Sequence, residues 1–157
     1  MRIVRVGSEE AGRLVPLNRI VQSLHAERRP DIFRQLTESH SVANLFADLL
    51  SQPGYFAFVA VSDEGRDVGY VLCELLDTAS DALTHARRRG VLHHVAVSTD
   101  MRRQGVGLEL VRAAKREFRS GQATEWTASY HVWNEASAAL LKAAGLEPTI
   151  VRAEGAL

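Results

Sequence analysis

The sequence predicts an α/β (α+β) fold in which helices cover both faces of one central, mixed and mostly antiparallel sheet. Two β-rich segments, 55–61 and 68–76, carry apolar residues on both faces, which is typical of a sheet that is covered on each side. Segments with helical apolar periodicity alternate with such strands. The chain has 157 residues, of which 46% are hydrophobic, so we expect residues 1–157 to form one domain around one substantial core.

The N-terminus predicts a short strand followed by a helix. Residues 2–6 alternate arginine with aliphatic residues and are closed by Gly7. Ser8 is suited to cap a helix, with two glutamates in its first turn. Pro16 either kinks this helix or delays its start. The inward stripe of the helix is formed by Leu14, Leu17, Ile20, Val21 and Leu24.

A second helix and a hairpin follow. Ser41 is predicted to cap the helix, and Pro53 and Gly54 end it. Segments 55–61 and 68–76 are separated by six polar or glycine residues, which predicts an antiparallel hairpin. The remaining elements are predicted as a polar connection at 77–89, a strand at 91–97, a helix at 105–118, a strand at 124–133, a helix from Asn134 to Gly145, and a last strand at 147–153.

Charge and composition exclude several function classes. Lysine plus arginine equals aspartate plus glutamate at 19 each, so no overall field favours nucleic acid or an anionic membrane as partner. No apolar run reaches the roughly 20 residues that span a bilayer, and residues 1–5 lack a signal-peptide hydrophobic region, so the expected location is the cytoplasm. The single cysteine, Cys73, lies in an apolar run and is predicted to be buried.

The most informative segment runs from the strand at 91–97 through a basic, glycine-containing turn into a helix. The first N–H groups of a helix lack partners within it and carry the positive end of its dipole, so this turn is suited to hold a phosphate group. Gly105 and Gly107 allow phosphate to approach the backbone, and Arg102 and Arg103 can add charge-assisted hydrogen bonds. A Walker loop and a Rossmann fingerprint are both absent from the sequence.

These residues resemble the GNAT superfamily of acyl-CoA N-acyltransferases. Arg102-x-x-Gly105-x-Gly107 matches the family signature, in which Arg or Gln is followed by two residues, Gly, one residue, and Gly or Ala. The strand ending Val95-Ala96-Val97 precedes it as in the family. Downstream, Trp133-Asn134 and the helix to Gly145-Leu146 resemble the strand-Asn-helix-Gly-Phe segment of the family. The resemblance extends from about residue 55 to residue 146.

The resemblance implies acetyl-CoA as cosubstrate, no metal, and a homodimer as an expectation. It implies that the pantetheine arm lies where the strands at 91–97 and 124–133 splay apart, hydrogen bonded to main-chain groups as an added strand would be. The cofactor-binding residues implied in this way are Val95, Ala96, Val97, Arg102, Arg103, Gln104, Gly105, Val106, Gly107, Asn134 and Ser137. Side chains of the two valines are also suited to the sheet core, and Asn134 to helix capping alone.

Acetylation of an amine requires a base, because an ammonium group with a pKa of about 10 must lose a proton before its nitrogen can attack a thioester. We predict that this base is His93, since the resemblance places a histidine or glutamate of related enzymes at the matching strand position. His94 is expected on the opposite face by strand alternation and to be structural. Glu74, within an apolar strand, is the second candidate base, its alternative being a residue that reaches solvent.

The sequence departs from the family at Leu141, where many members carry a tyrosine that protonates the leaving thiolate. Tyr130 or Ser137 can substitute for it, water can protonate the thiolate, or transfer is slow or absent. Arg29 and Phe33, with Asp31, lie in the variable region that the resemblance assigns to the acceptor site.

Three functions remain open from the sequence. The first is an N-acetyltransferase that acts on a primary amine of a small molecule or a protein, and whose buried cysteine argues against a thioester-enzyme intermediate. The second is a non-catalytic acyl-CoA-binding module, which the departure at Leu141 would explain. The third is an unrelated α/β domain with a similar loop. The identity of the amine is not encoded in these patterns, because one fold serves many acceptors.

Overall fold

A mixed sheet forms the centre of the computed structural model, which describes residues 1–36 and 39–155. Within those residues, five strands follow one another in sequence order across the sheet. The first four pair with one another in antiparallel fashion, and the fifth is parallel to the fourth, which confirms the predicted mixed, mostly antiparallel sheet. The strands are β1 (Arg2–Val6), β2 (Tyr55–Val61), β3 (Asp67–Thr78), β4 (Arg87–Val97) and β5 (Glu125–Ala128).

Helices cover both faces of the sheet, as predicted. The α-helices of the described residues are α1 (Leu14–Arg28), α2 (Ser39–Ser51), α3 (Val106–Ser120) and α4 (Glu135–Ala143). Helices α1 and α2 bury Leu14 and Phe46 against one face, together with Tyr70 and Leu72 of β3. Helices α3 and α4 bury Leu110 and Leu141 against the other face. Strand side chains alternate between these two clusters, which explains why the β2 and β3 sequences are apolar throughout.

The predicted hairpin between β2 and β3 is confirmed. Ser62 and Arg66 close its turn through a backbone hydrogen bond of 2.8 Å, with Gly65 at φ +80°. The pairing of β3 with β4 extends farther than predicted, to Thr78 opposite Arg87. The stretch at 77–89, predicted as a polar connection, is therefore partly strand. The side chains at its ends form ion pairs, Arg87 with Glu125 and Arg88 with Asp77.

The predicted start of the first helix is wrong. Residues Ser8–Arg13 form a 3₁₀ segment that follows Gly7, and no side chain caps it. The α-helix begins at Leu14, so Pro16 lies in its first turn, where its missing N–H costs nothing. Helix α2 begins at Ser39, which places Ser41 inside its first turn instead of before it.

Two strand predictions near the C-terminus also need correction. The strand predicted at 124–133 is paired only over Glu125–Ala128, and residues 129–134 turn away from the sheet. The strand predicted at 147–153 is absent, since these residues have no regular secondary structure and Ile150 and Val151 are exposed. Apolar alternation indicates a strand only where an edge is available for pairing.

The boundaries of the last two helices follow the sequence closely. Helix α3 begins after Gly105, and α4 begins after Asn134. Gly145, at φ +91°, adopts the left-handed conformation that ends α4, as predicted. None of the helices among the described residues combines the length and apolarity that a membrane span requires.

Candidate active site

A bulge in β4 brings two histidines to the same face of the sheet. Leu72 of β3 pairs with His94 and Cys73 pairs with Leu92, so His93 is the extra residue between them. His93 contacts Tyr55 and Glu74, and His94 contacts Tyr70, all on the face that α1 and α2 cover. The prediction that His94 lies on the opposite face from His93 is therefore wrong, because the bulge interrupts the alternation on which it rested.

The two predicted bases, His93 and Glu74, are in direct contact. His93 Nε2 lies 2.9 Å from Glu74 Oε2. The ring of Tyr55, the cross-strand partner of Glu74, stacks on the His93 ring with centroids 5.5 Å apart and planes 13° apart. Burial and the neighbouring carboxylate of Glu74, to which the hydroxyl is hydrogen bonded, raise the pKa of Tyr55. Tyr55, Glu74 and His93 thus form a connected, partly buried group, with His93 32% exposed and Glu74 17% exposed.

His94 belongs to a buried hydrogen-bond network beside this group. Asn18 Nδ2 donates to Tyr70 Oη over 2.8 Å, and Tyr70 Oη lies 3.2 Å from His94 Nδ1. Phe46 packs against the same imidazole with a centroid separation of 6.1 Å. Burial, with smaller contributions from neighbouring His93 and His25, lowers the pKa of His94 from 6.5 to about 4. The imidazole is therefore neutral near pH 7.

Acid should destabilise the protein through His94. Because its native pKa of about 4 lies below its ordinary value of 6.5, the unfolded chain binds the proton first, and stability is lost as pH falls through this interval. Between about pH 7 and about pH 5 the loss due to this residue is about 2 kcal/mol. Urea denaturation at both pH values should show a smaller loss for His94→Gln than for the wild type. His85→Gln, in the exposed loop between β3 and β4, should lose as much unfolding free energy as the wild type. An equal loss in all three proteins would contradict the assignment of this acid sensitivity to His94.

The turn between β4 and α3 has the features predicted for an anion site. No side chain caps the N-terminus of α3, and Gly105 adopts φ +83° at the N-cap. A Cβ atom built on Gly105 meets no protein atom within 4 Å, so the space in front of this backbone is open. Arg102 and Arg103 are exposed beside it, and Gln104 Nε2 braces the turn by donating to the carbonyl of Asp100 over 3.0 Å.

Gly107 also has a packing role that the sequence did not suggest. A Cβ atom there would lie 3.3 Å from Leu140 Cδ2 and 3.6 Å from Val97 Cγ2. The missing side chain therefore allows α3 to approach α4 and the end of β4. The neighbouring Val106 is buried in the core, where it anchors the first turn of α3.

The predicted splay between the two parallel strands is present. Strands β4 and β5 pair only from Arg89 and Glu125 to Leu92 and Ala128. Beyond Leu92, the segment of β4 with Val95, Ala96 and Val97 has no strand partner on that side among the described residues. Ala96 is buried toward α1 and α2, while Val95 and Val97 pack against the α3 cluster, so their side chains serve the core.

Asn134 caps α4 as predicted, because its Oδ1 accepts a hydrogen bond of 3.1 Å from the backbone N–H of Ser137. Leu141 is only 3% exposed and packs in the core between α3, α4 and the sheet. Tyr130, after β5, is 37% exposed. The structure therefore leaves Tyr130 accessible to solvent and removes Leu141 from any accessible surface.

Arg29 and Phe33 lie at the C-terminal end of α1. Arg29 pairs with Asp31 at 2.9 Å and with Glu154 at 3.0 Å. Phe33 joins a ring cluster formed by His25, Phe33, His131 and Trp133, in which His131 and Trp133 stack at 5.0 Å. Burial, and secondly His131, lower the pKa of His25. This cluster connects α1 with the segment that follows β5.

The sequence matches the model of the acetyltransferase (GNAT) family over residues 19–146. The chain belongs to this family. The match includes the β4 bulge, the α3 N-terminus and Asn134, and acetyl transfer is the chemistry for which the GNAT family is named. A search of curated protein sequences gives no match. Among the described residues, no group of three or more His, Cys, Asp or Glu side chains is arranged to hold a metal ion.

Solved structures, two aminoglycoside acetyltransferases among them, share this fold. A tetramutant of the BH1408 protein from Bacillus halodurans matches with a TM-score of 0.89 at 18% identity, covering 100% of both chains. The aminoglycoside acetyltransferase meta-AAC0020 from an uncultured soil metagenomic sample, in complex with trehalose, matches with a TM-score of 0.72 at 18% identity, covering 99% of this chain and 95% of its own. Aminoglycoside N-acetyltransferase AAC(6')-Iy in complex with CoA matches with a TM-score of 0.78 at 15% identity, covering 99% of this chain and 93% of its own.

Sequence reasoning missed several residues of this candidate site. Tyr55 carried only a partial signal, because counting back from the Val61–Asp67 pair places it opposite Cys73, and a register shift between Ala60 and Val61 moves its partner to Glu74. Tyr70 and Asn18 carried no signal, since a tyrosine within an apolar strand and an asparagine within a helix are ordinary. His131 and Trp133 join the site through the ring cluster, which only the tertiary structure reveals.

Proposed function

We propose that this chain is an N-acetyltransferase that transfers the acetyl group of acetyl-CoA to a primary amine by direct attack in a ternary complex. One observation carries the proposal: His93, paired with Glu74, and the uncapped N-terminus of α3 lie at the two ends of the β4 segment that continues beyond its pairing with β5. An anion site and a proton acceptor beside one open strand edge are what this reaction requires.

The residues of the turn fit the diphosphate of coenzyme A. The first N–H groups of α3 have no intrahelical or side-chain partner, and the space before Gly105 is open. Arg102 and Arg103 would add charge-assisted hydrogen bonds to phosphate oxygens. The pantetheine arm would follow the unpaired edge of β4 at Val95, Ala96 and Val97 toward the bulge, and Asn134 and Ser137 would border it from α4.

His93 is suited to accept the proton of the amine. A carboxylate only accepts hydrogen bonds, so the nitrogen that contacts Glu74, Nε2, carries the proton in the neutral imidazole. The free Nδ1 is then the basic atom, reaching the amine directly or through one water molecule. Glu74 holds the ring in this tautomer and stabilises the imidazolium that forms, and Tyr55 holds both groups in place.

The remaining steps need no covalent enzyme intermediate. His93 takes a proton from the ammonium group and releases it to solvent, which leaves the neutral amine. The amine nitrogen then attacks the thioester carbon and loses its second proton to His93, and the carbon–sulfur bond breaks to give the amide and the CoA thiolate. The thiolate can take its proton from water or from exposed Tyr130, since a thiol with a pKa of about 8.5 is a fair leaving group. Burial raises the pKa of Cys73, which is therefore an unsuitable nucleophile.

A non-catalytic acyl-CoA-binding module is the second candidate, and Leu141 favours it. This side chain is buried in the core and cannot donate a proton to a leaving thiolate. The two candidates share the anion site and differ in turnover. They are therefore separated by measuring binding and reaction on the same sample.

The acceptor would be a small-molecule amine or the amine of a protein, and Arg29 and Phe33 would contact it. Structural neighbours include aminoglycoside acetyltransferases, one of them solved with sisomicin, which supports a small-molecule amine as the first to test. We further propose that the protein acts in the cytoplasm and as a homodimer.

The function is tested by titration calorimetry with acetyl-CoA and by release of free CoA thiol with an amine panel. The panel contains sisomicin, spermidine, tyramine, lysine, glucosamine and a peptide with a free N-terminus. Turnover with at least one amine is the expected result. Binding without turnover across the panel would favour the binding module, and absence of binding at about millimolar acetyl-CoA would contradict both candidates.

The anion site is tested by Gly105→Val, whose side chain would fill the open space before the α3 amides. The Kd of acetyl-CoA should rise about tenfold or more, equivalent to at least about 1.4 kcal/mol. Gly65→Val is the matched control, because Gly65 also has a positive φ of +80° and open space, but lies in the β2–β3 turn. Calorimetry should show unchanged affinity in the control. Unchanged affinity in both variants would contradict the proposed site.

A further inference from the structure

We propose that His94 is a specificity-determining residue that binds the acceptor: a neutral imidazole whose Nε2–H donates a hydrogen bond to an oxygen atom of the amine substrate. This inference rests on the proposed function and deepens it, because it names a chemical feature of the acceptor. Three features of the structure carry it: the network that fixes the His94 tautomer, the accessibility of its second nitrogen, and its position beside His93.

The network fixes where the proton of His94 resides. The amide nitrogen of Asn18 can only donate, so Tyr70 Oη is the acceptor in that contact. Tyr70 is fully buried, and its own hydroxyl proton would have no partner unless it is donated to His94 Nδ1. Nδ1 is therefore the acceptor, and the neutral ring carries its proton on Nε2.

The protonated nitrogen is left for a ligand. His94 Nε2 has no hydrogen-bond partner among the described residues. It is also not one of the fully buried atoms that lack a hydrogen-bond partner, so it is accessible to solvent. The groups that face this ring are the phenol of Tyr70 from β3, the Phe46 ring from α2, the imidazole of His25 from α1, and His93 beside it on β4. Of these, only His93 is paired with a carboxylate.

Neighbouring positions at the bulge give His93 and His94 complementary roles. His93 accepts a proton from the amine, whereas His94 offers a donor to a second group of the same molecule. A neutral N–H donor binds a hydroxyl, ether or carbonyl oxygen and gains nothing from an alkyl group. An amine substrate that lacks such an oxygen would displace water from this N–H without replacing the hydrogen bond. Sites of this kind discriminate strongly against substrates that lack the hydrogen-bonding group. We therefore expect an amine that carries an oxygen function.

The kinetic experiment compares two amines of similar size, glucosamine and cyclohexylamine, in the intact protein. The wild type should show a kcat/KM ratio that favours glucosamine by about tenfold or more. His94→Phe, and Tyr70→Phe, which removes only the hydroxyl that orients the ring, should lower this ratio toward one. His94→Gln, which retains an N–H donor, should restore part of it. His85→Phe, in the exposed β3–β4 loop, should leave it unchanged.

A spectroscopic experiment separates this inference from the proposed function. Nitrogen-15 NMR of the imidazoles should show His94 as the Nε2–H tautomer in the wild type and a changed tautomer population in Tyr70→Phe. Should no amine be turned over, glucosamine added in the presence of CoA should still shift the His94 Nε2 resonance. An Nδ1–H tautomer in the wild type, no shift with glucosamine, or a glucosamine preference that survives in both His94→Phe and Tyr70→Phe would overturn the inference.

Discussion

Replacing His93 with alanine should lower kcat for amine acetylation by about 10²–10⁴-fold while the Kd of acetyl-CoA stays nearly unchanged. The imidazole is bonded to Glu74 at 2.9 Å and stacked on Tyr55, and it lies on β4 away from the α3 N-terminus. Its removal therefore deletes the proton acceptor without altering the proposed anion site. An assay of CoA thiol release measures kcat, and calorimetry on the same preparation measures the Kd of acetyl-CoA.

Two further variants sharpen this result. Glu74→Gln retains the size of the side chain but not its charge, so kcat should fall by less than in His93→Ala, because the free imidazole nitrogen is still present. His85→Ala removes an exposed histidine from the β3–β4 loop and should behave as the wild type. Equal kcat values for His93→Ala and the wild type from about pH 6 to about pH 9 would exclude His93 as the base.

Replacing Gly90 with alanine should destabilise the protein by about 2–3 kcal/mol and lower Tm by roughly 5–10 °C. A Cβ atom on Gly90 would lie 2.4 Å from two ring carbons of Phe118, and this ring is buried between α3 and the sheet. The core around the ring is closely packed, so neither β4 nor α3 can move aside without losing other contacts. Thermal and urea denaturation measure the change.

A second substitution tests the cause of this effect. Phe118→Leu removes the ring that Gly90→Ala would contact, so the double variant should be less destabilised than the sum of the two single variants. Gly12→Ala is the matched control, since a Cβ atom there meets nothing within 4 Å and φ is not in the left-handed region; its stability should be unchanged or slightly higher. Strict additivity in the double variant would show that the loss has another origin.

Much of the site could be predicted because its signals are local. The spacing of glycine and arginine in the turn around Gly105 indicates the start of a helix, and Asn134 indicates the cap of α4. These features depend on residues within one turn of each other, so no knowledge of distant partners is needed. The hairpin of β2 and β3 is also local, although a register shift between Ala60 and Val61 decides that Tyr55 pairs with Glu74.

The errors arise where pairing partners are distant in sequence. The bulge at His93 depends on how β4 pairs with β3, and nothing in the alternating pattern of β4 marks the extra residue. Segment 147–153 has the composition of a strand, but it has no partner among the described strands. Gly107, which is predicted to let phosphate approach, also makes room for Leu140 of another helix, a contact that the sequence does not indicate.

The sequence by itself determined the order of helices and strands up to α4, the layered architecture and the glycine-containing turn at the start of α3, because capping, apolar periodicity and glycine backbone freedom act over a few neighbouring residues. Only the tertiary structure decided that His93 and His94 share one face, that Glu74 contacts His93, and that Tyr70 and Asn18 orient His94. These relations are set by strand register and by burial between α1 and β4, which depend on contacts between residues far apart in the chain.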